Sequence, residues 1–306
     1  AQDGQRGAPP ASHASAYAGT KSLSVAEYVD ISMGKASSLA RKYKSDSFGT
    51  SITGALARHR PAVVSVCTPD ASHFTVAMQV LRAPDAPRVL FLEKPPCTTL
   101  KEFSSLKRLS RARGTVVAVN YSRRFDRRYA RLRADIARGR YGRLVRADAF
   151  YYGGWRHNGS HIVDTLRFLF GAVTLQKIGN GAPSRHPRDR TRDALLGIAG
   201  GAHAHLHGFD EAYYQVFDFD FKFSRFRLRI ENFEGRWSLE RRVREGSENI
   251  LVPARLNPGP PSPPSLQQAI NTIARFLATN DPACLKPFTL DESEGTMSIL
   301  WEADKR

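Results

Sequence analysis

Along the first 120 positions, apolar residues fall into short runs separated by stretches of three- and four-residue spacing. Val63-Val64-Ser65-Val66-Cys67, Val89-Leu90-Phe91-Leu92 and Val116-Val117-Ala118-Val119 are rich in β-formers and read as strands buried on both faces. Between them the spacing predicts helices over 74–81 and 99–113, with Thr99 as the cap of the second. Upstream, 24–29 reads as a strand ending at Asp30 and 34–43 as a helix; a further helix after Phe48 carries Ile52, Leu56 and Ala57. Repeated βα units predict a doubly wound parallel sheet, which binds ligands at the C-terminal ends of its strands.

The pattern changes near residue 121. Phe125, Tyr129, Leu132 and Ile136 mark one face of an amphipathic helix whose other face is arginine. A strand over 144–152 and a helix over 160–170, ended by Gly171, come next. Strand-like runs at 202–207, 213–223, 226–230 and 237–243 alternate or run apolar between turn residues, which predicts antiparallel pairing. A Pro/Gly-rich loop at 257–264 and a helix over 266–278 close the chain. The expected fold class is α/β: a Rossmann-like parallel sheet over 1–121, its first strand the doubtful one, then an α+β domain over 122–306 with an open, largely antiparallel sheet.

Composition narrows the function classes. With 306 residues and 41% apolar content, the chain can build two cores. It has no apolar run near the roughly 18 residues needed to span a membrane, and 1–10 is polar, unlike a secretory signal. Cys67, Cys97 and Cys284 are odd in number, far apart and without metal-ligand spacing, so reduced thiols in a cytoplasmic protein are expected. The 46 basic and 29 acidic side chains give a net charge of +17, with arginines concentrated at 123–138 and 185–192. Phosphate contacts in nucleic-acid binders come from such patches. Here the arginines interleave with a helical apolar stripe, so a basic surface or an anionic-ligand pocket is the expectation.

Polar groups stand where the runs of β-formers end. Thr68-Pro69-Asp70 with His73 follows one strand, Glu93-Lys94-Pro95 the next and Asn120 the third. Together with Asn120-Tyr121-Ser122-Arg123-Arg124-Phe125 and Gly159-Ser160-His161-Ile162-Val163-Asp164, these ordered motifs resemble the Gfo/Idh/MocA family of NAD(P)-dependent sugar and inositol oxidoreductases, from about His13 onward. The resemblance implies an N-terminal dinucleotide-binding domain and a C-terminal sheet domain that carries substrate contacts and a homo-oligomer interface. It implies NAD, or NADP, held by Gly7, Asp30, Thr68, Pro69, Asp70, His73, Glu93, Lys94 and Asn120, and a sugar or cyclitol, anionic in some members, as substrate. Lys94 matches the family lysine beside the nicotinamide, and His161 the histidine that exchanges the hydroxyl proton. Arg124, Trp155, His157 and Asp164 are the expected substrate contacts.

The chain departs from the family pattern twice. The three glycines of the phosphate loop fall on Gln5, Gly7 and Pro10, and Pro10 has no N–H to offer a pyrophosphate. Where the commonest motif has an aspartate four residues before the histidine, this chain has His157. Asp30 is the carboxylate that hydrogen-bonds a ribose and repels a 2′-phosphate in the family, or else a cap of the next helix. Two other readings stand beside the dehydrogenase. One is a non-catalytic descendant that binds a sugar or a protein; the other is a metal-dependent hydrolase built on His203, His205 and His207 with His157 and His161. No carboxylate motif accompanies those histidines, so no metal ligand is assigned.

Overall fold

A computed structural model describes residues 12–186, 188–257 and 263–305. They form two compact units, 12–126 with 263–294 and 127–257 with 295–305.

The first unit runs α1 (His13–Ala18), β1 (Tyr28–Val29), α2 (Met33–Lys42), β2 (Phe48–Gly49), α3 (Ile52–His59), β3 (Val63–Val66), α4 (His73–Arg82), β4 (Val89–Leu92), α5 (Leu100–Ala112), β5 (Val116–Val119) and α6 (Ser122–Phe125). β3, β4 and β5 pair in parallel in that order, with Val63 opposite Val89 and Val89 opposite Val116. β4 lies in the middle and all four of its residues are buried, which is why its sequence does not alternate. Thr99 caps α5 as expected, in a reciprocal pairing with Glu102. The strand expected over 24–29 shrinks to Tyr28–Val29, paired in parallel with β2. Its partner is only two residues long, and Ser24 and Ala26 face solvent.

The second unit begins with α7 (Arg127–Ala137), β6 (Leu144–Tyr151) and α8 (Ser160–Phe170). The strands β7 (Val173–Ala182), β8 (Thr191–Ile198), β9 (Ala202–Gly208), β10 (Asp218–Phe223), β11 (Phe226–Glu231), β12 (Arg236–Glu245) and β13 (Glu248–Ala254) follow. They join β6 in one eight-stranded sheet of order β13-β12-β11-β10-β6-β9-β8-β7, antiparallel throughout except for the β6/β9 pair. The buried face carries Phe219, Phe221, Leu228 and Ile230, and Phe170 of α8 packs edge-on to Phe221. Charges cross the strands on the other face: His207 meets Asp148 at 3.2 Å, Lys222 bridges Asp148 and Asp220 at 2.8 and 2.7 Å, and Arg227 meets Asp220 at 2.7 Å. The alternating histidines of β9 belong to this polar face. Among the described residues, no group of three or more His, Cys, Asp or Glu is arranged to hold a metal ion.

α9 (Ser265–Thr279) and the start of α10 (Leu290–Ala303) return to the first unit. Ala269, Ile270, Ile273 and Phe276 of α9 share a core with Ala16, Val89, Phe91, Ala118, Phe125 and Leu285. A single cut at 121/122 therefore does not follow the contacts. The helix expected to close the chain is thus α9, followed by α10; its apolar stripe needs a surface to bury it, and the β3–β4–β5 sheet supplies one.

Candidate functional site

The ends of β3, β4 and β5 bring their polar groups to one edge. Glu93, immediately after β4, accepts hydrogen bonds from Asn120 Nδ2, beyond β5, and from His13 Nε2, on α1, each at 2.7 Å. The two ring nitrogens of buried His73 each lie 2.7 Å from a carbonyl oxygen, of Pro95 and of Thr68, so His73 ties the ends of β3 and β4 together. Pro69 accepts from Ser72 at 2.8 Å, and Asp70 opens a single 3₁₀ turn before α4. Lys94 is buried, and its peptide bond to Pro95 is cis. Asp30, past β1, takes the Ser32 N–H on Oδ1 at 2.8 Å, and Ser32 caps α2. Gly7 and the rest of the expected phosphate loop lie outside the described residues.

Three polar atoms near these strand ends are buried without a hydrogen-bond partner: His13 Nδ1, Thr68 Oγ1 and Asn120 Oδ1. A buried acceptor left unmade costs ~1–3 kcal/mol, so such atoms together mark a surface built for a ligand. They suit a dinucleotide, which carries many hydroxyl donors and acceptors.

Sequence reasoning used His13 only as a landmark, yet it is the ionic partner of this edge. Burial opposes its charge, but Cys67 and Glu93 carry its pKa up to about 10. Burial likewise opposes the charge on Glu93, and His13 and Asn120 bring its pKa down to about 2. The pair therefore has a pH signature. The His13 contribution is complete below the unfolded value of 6.5 and is lost as pH rises toward about 10. The Glu93 contribution is complete above 4.5 and is lost as pH falls toward about 2. Thermal melts of His13→Gln are expected to lose the wild-type decline in Tm between 6.5 and about 10. An alkaline limb identical to that of wild type would rule out the pair as its source.

The other residues singled out in the sequence have the following partners. In the first unit Arg124 is buried, donates to the Pro287 carbonyl at 2.9 Å and lies 3.7 Å from Glu292. In the second, Gly153 and Gly154, at φ 75° and 95°, start a wide helical turn over Gly154–Gly159 that leads into α8. Asp189 organises that turn by accepting the backbone N–H groups of Arg156 and His157 at 2.8 and 2.9 Å. A Cβ on Gly154 would lie 2.2 Å from Asp189 Oδ2, so only glycine admits this carboxylate. Burial pushes the Asp189 pKa up, against those two N–H groups. Trp155 is 1% exposed, and its Nε1 is buried without a partner. The His157 ring lies tilted against His186 with centroids 4.4 Å apart, whereas His161, in the first turn of α8, meets Phe217 edge-on at 6.4 Å. Asp164 is buried and accepts from Thr296 Oγ1 at 2.9 Å.

Phe217 also lines a cavity of about 390 Å³ with Tyr214, Asp218, Asn232, Phe233 and Arg236. Its lining is mixed, with Gln215 and Glu231 adding further polar groups beside the aromatic rings. The sequence hid this cavity, because its walls come from two segments that only the β10–β11 pairing brings together. The arginines at 185–192 act largely as clips: Arg185 reaches Glu211 at 3.7 Å, Arg192 reaches the Ala303 carbonyl at 2.9 Å and Arg190 binds the Gly181 carbonyl.

Residues 7–121 match the family model described as "Oxidoreductase family, NAD-binding Rossmann fold". The chain is 30% identical over 132 residues to D-glucoside 3-dehydrogenase of Escherichia coli, covering 43% of this chain and 37% of that protein. It is 25% identical over 143 residues to scyllo-inositol 2-dehydrogenase (NAD(+)) of Bacillus subtilis, covering 40% of each. It thus spans about two fifths of the length of these curated relatives. A 3-ketoreductase from Actinomadura kijaniata, solved with NADP, shares the fold at a TM-score of 0.76 and 16% identity, over 96% of this chain and 92% of that one. No described helix is long and apolar enough to cross a membrane. Over residues 7–121, then, the chain is similar to the Gfo/Idh/MocA oxidoreductases in their NAD-binding Rossmann-fold domain.

Proposed function

We propose that the chain is a nicotinamide-dependent dehydrogenase that moves a hydride between NAD and a hydroxyl or keto carbon of a sugar or cyclitol. The buried, unpartnered Thr68 Oγ1 and Asn120 Oδ1 at the strand ends carry this reading. In it, Thr68, Pro69, Asp70, His73, Glu93 and Asn120 form the cofactor edge, and Asp30 takes the adenosine ribose. When bound, the nicotinamide ring supplies the hydride acceptor or donor. A carboxylate at Asp30 repels a 2′-phosphate, which favours NAD over the NADP of the Actinomadura kijaniata 3-ketoreductase.

The protein's own work is to manage the hydroxyl proton. In this proposal the Lys94 ammonium polarises the substrate oxygen and His161 accepts the proton, because an imidazole exchanges protons near neutral pH. His157, in the turn before α8, assists His161. The cavity lined by Phe217, whose ring packs on His161, takes the sugar. The D-glucoside and scyllo-inositol dehydrogenases support a polyol substrate. Arg124, Trp155 and Asp164, the other substrate contacts of this reading, are buried.

Titration with NADH, read by nicotinamide fluorescence, tests the proposal. Saturable binding is expected, weakened roughly tenfold in Asn120→Ala for the loss of one buried hydrogen bond. Absence of saturable binding by NADH and NADPH at millimolar concentration would sink it. The altered phosphate loop at Gln5 and Pro10 favours a second reading, a sugar-binding descendant without turnover. Cofactor binding with no turnover across a panel of sugars and cyclitols would select that one.

A further inference from the structure

The turn that carries His157 into α8 takes its shape from outside itself. Four successive backbone N–H groups at its start find acceptors on Asp189, Arg190 and Thr191, the residues that lead into β8. Gly154 donates to Thr191 Oγ1 and Trp155 to the Arg190 carbonyl, each at 2.9 Å. Arg156 and His157 donate to the two Asp189 oxygens at 2.8 and 2.9 Å. The first N–H groups of a helical turn have no partner within it, so their acceptors must come from elsewhere. Here the approach to β8 supplies them. Thr191 is fully buried, and the His157 carbonyl accepts from Ser160 Oγ at 2.9 Å, so His157 is fixed at both of its backbone groups. His161 follows one residue beyond Ser160. The same approach also places a ring on His157: the His186 carbonyl accepts the Asp189 N–H at 2.9 Å, and its imidazole lies against that of His157. Wide helical turns of this kind recur at functional sites.

We infer that Asp189 and Thr191 are positioning residues, which hold this turn so that the imidazoles of His157 and His161 stand where a proton is exchanged with substrate. The inference rests on the dehydrogenase reading of that histidine pair, and neither Asp189 nor Thr191 is assigned a contact with the reacting atoms. A carboxylate accepts both N–H groups at once. An amide of the same shape offers one oxygen and turns an NH2 group toward the second N–H. Hydrogen bonds to a charged acceptor are the stronger ones, which accounts for a carboxylate kept here although burial opposes its charge. A misplacement of about 1 Å costs roughly a hundredfold in rate, so the effect of this clamp falls on turnover more than on binding.

The test compares Asp189→Asn, Thr191→Val and Thr191→Ser with the wild-type full chain. Turnover with NAD and the best substrate of a sugar and cyclitol panel, NADH titration and thermal melts are measured beside nitrogen NMR of the imidazoles. His157→Gln and His161→Gln assign the two signals. Asp189→Asn is expected to lower kcat about ten- to a hundredfold, with KM and NADH affinity within about twofold of wild type. It is also expected to shift the His157 and His161 signals and to leave those of His203 and His205 in place. Thr191→Val should move the same readouts in the same direction, and Thr191→Ser, which keeps the acceptor oxygen, should return them to wild type. Wild-type kcat and unmoved His157 and His161 signals in a folded Asp189→Asn protein would overturn the inference, as would a lowered Tm alone. If Asp189→Asn does not fold, Thr191→Val against Thr191→Ser decides on the same readouts. Absence of turnover in the wild-type protein would instead count against the dehydrogenase reading, and the imidazole signals alone would then decide the positioning.

Discussion

Lys94→Ala is expected to lower turnover by about a thousandfold or more while leaving both units folded. The scale is that of a lost positioned proton or charge partner in a transition state. The loss should fall mainly on kcat, with KM little changed, because polarisation matters most as charge develops on the reacting oxygen. Folding should survive, since Glu93 keeps its hydrogen bonds from His13 and Asn120 when the Lys94 side chain is shortened. Steady-state kinetics with the best substrate from a sugar and cyclitol panel, beside thermal melts, separates the two effects. Wild-type turnover in the variant would remove Lys94 from the chemistry, and a collapsed melt would make it a structural residue.

Ile273→Ala should cost ~2–5 kcal/mol of stability, the range for truncating a large aliphatic side chain in a core. Ile273 is fully buried on α9, in the cluster that holds Val89, Phe91 and Ala118. The damage should be local. Native-state hydrogen exchange is expected to quicken in β3, β4, β5 and α1 and to change little in the eight-stranded sheet. Faster exchange confined to β6–β13 would mean that α9 stabilises the second unit instead.

Local signals were legible wherever the chain satisfied itself nearby. Thr99 and Glu102 form their cap within one helical turn. The fully apolar β4 run could be read because a strand covered on both faces leaves no polar position. Edge strands were harder. β7 and β13 each pair on one side only, and their mixture of glycine, polar and charged residues carries no clean alternation. The expected strand over 213–223 begins only at Asp218, because Tyr213 and Tyr214 stand exposed in the preceding turn.

At the candidate site, the motifs named the strand-end residues but not their partners. Glu93 was expected at the cofactor edge, and His13, 80 positions away, turned out to hold it. The arginine runs suggested an anionic ligand. In the structure Arg124 donates to the Pro287 carbonyl and Arg192 to the Ala303 carbonyl, since a guanidinium reaches carbonyls distant in sequence.

By itself, then, the sequence determined the βα series, the order of polar groups at its strand ends and the likeness of residues 7–121 to a family model. Those features depend on short-range periodicity and on motifs read in a line. Only the tertiary structure decided that α9 completes the first core, that Asp189 fits against Gly154, and that His13 joins Glu93 and Asn120. Each of these depends on burial and charge pairing between residues far apart in the chain, which no local pattern encodes.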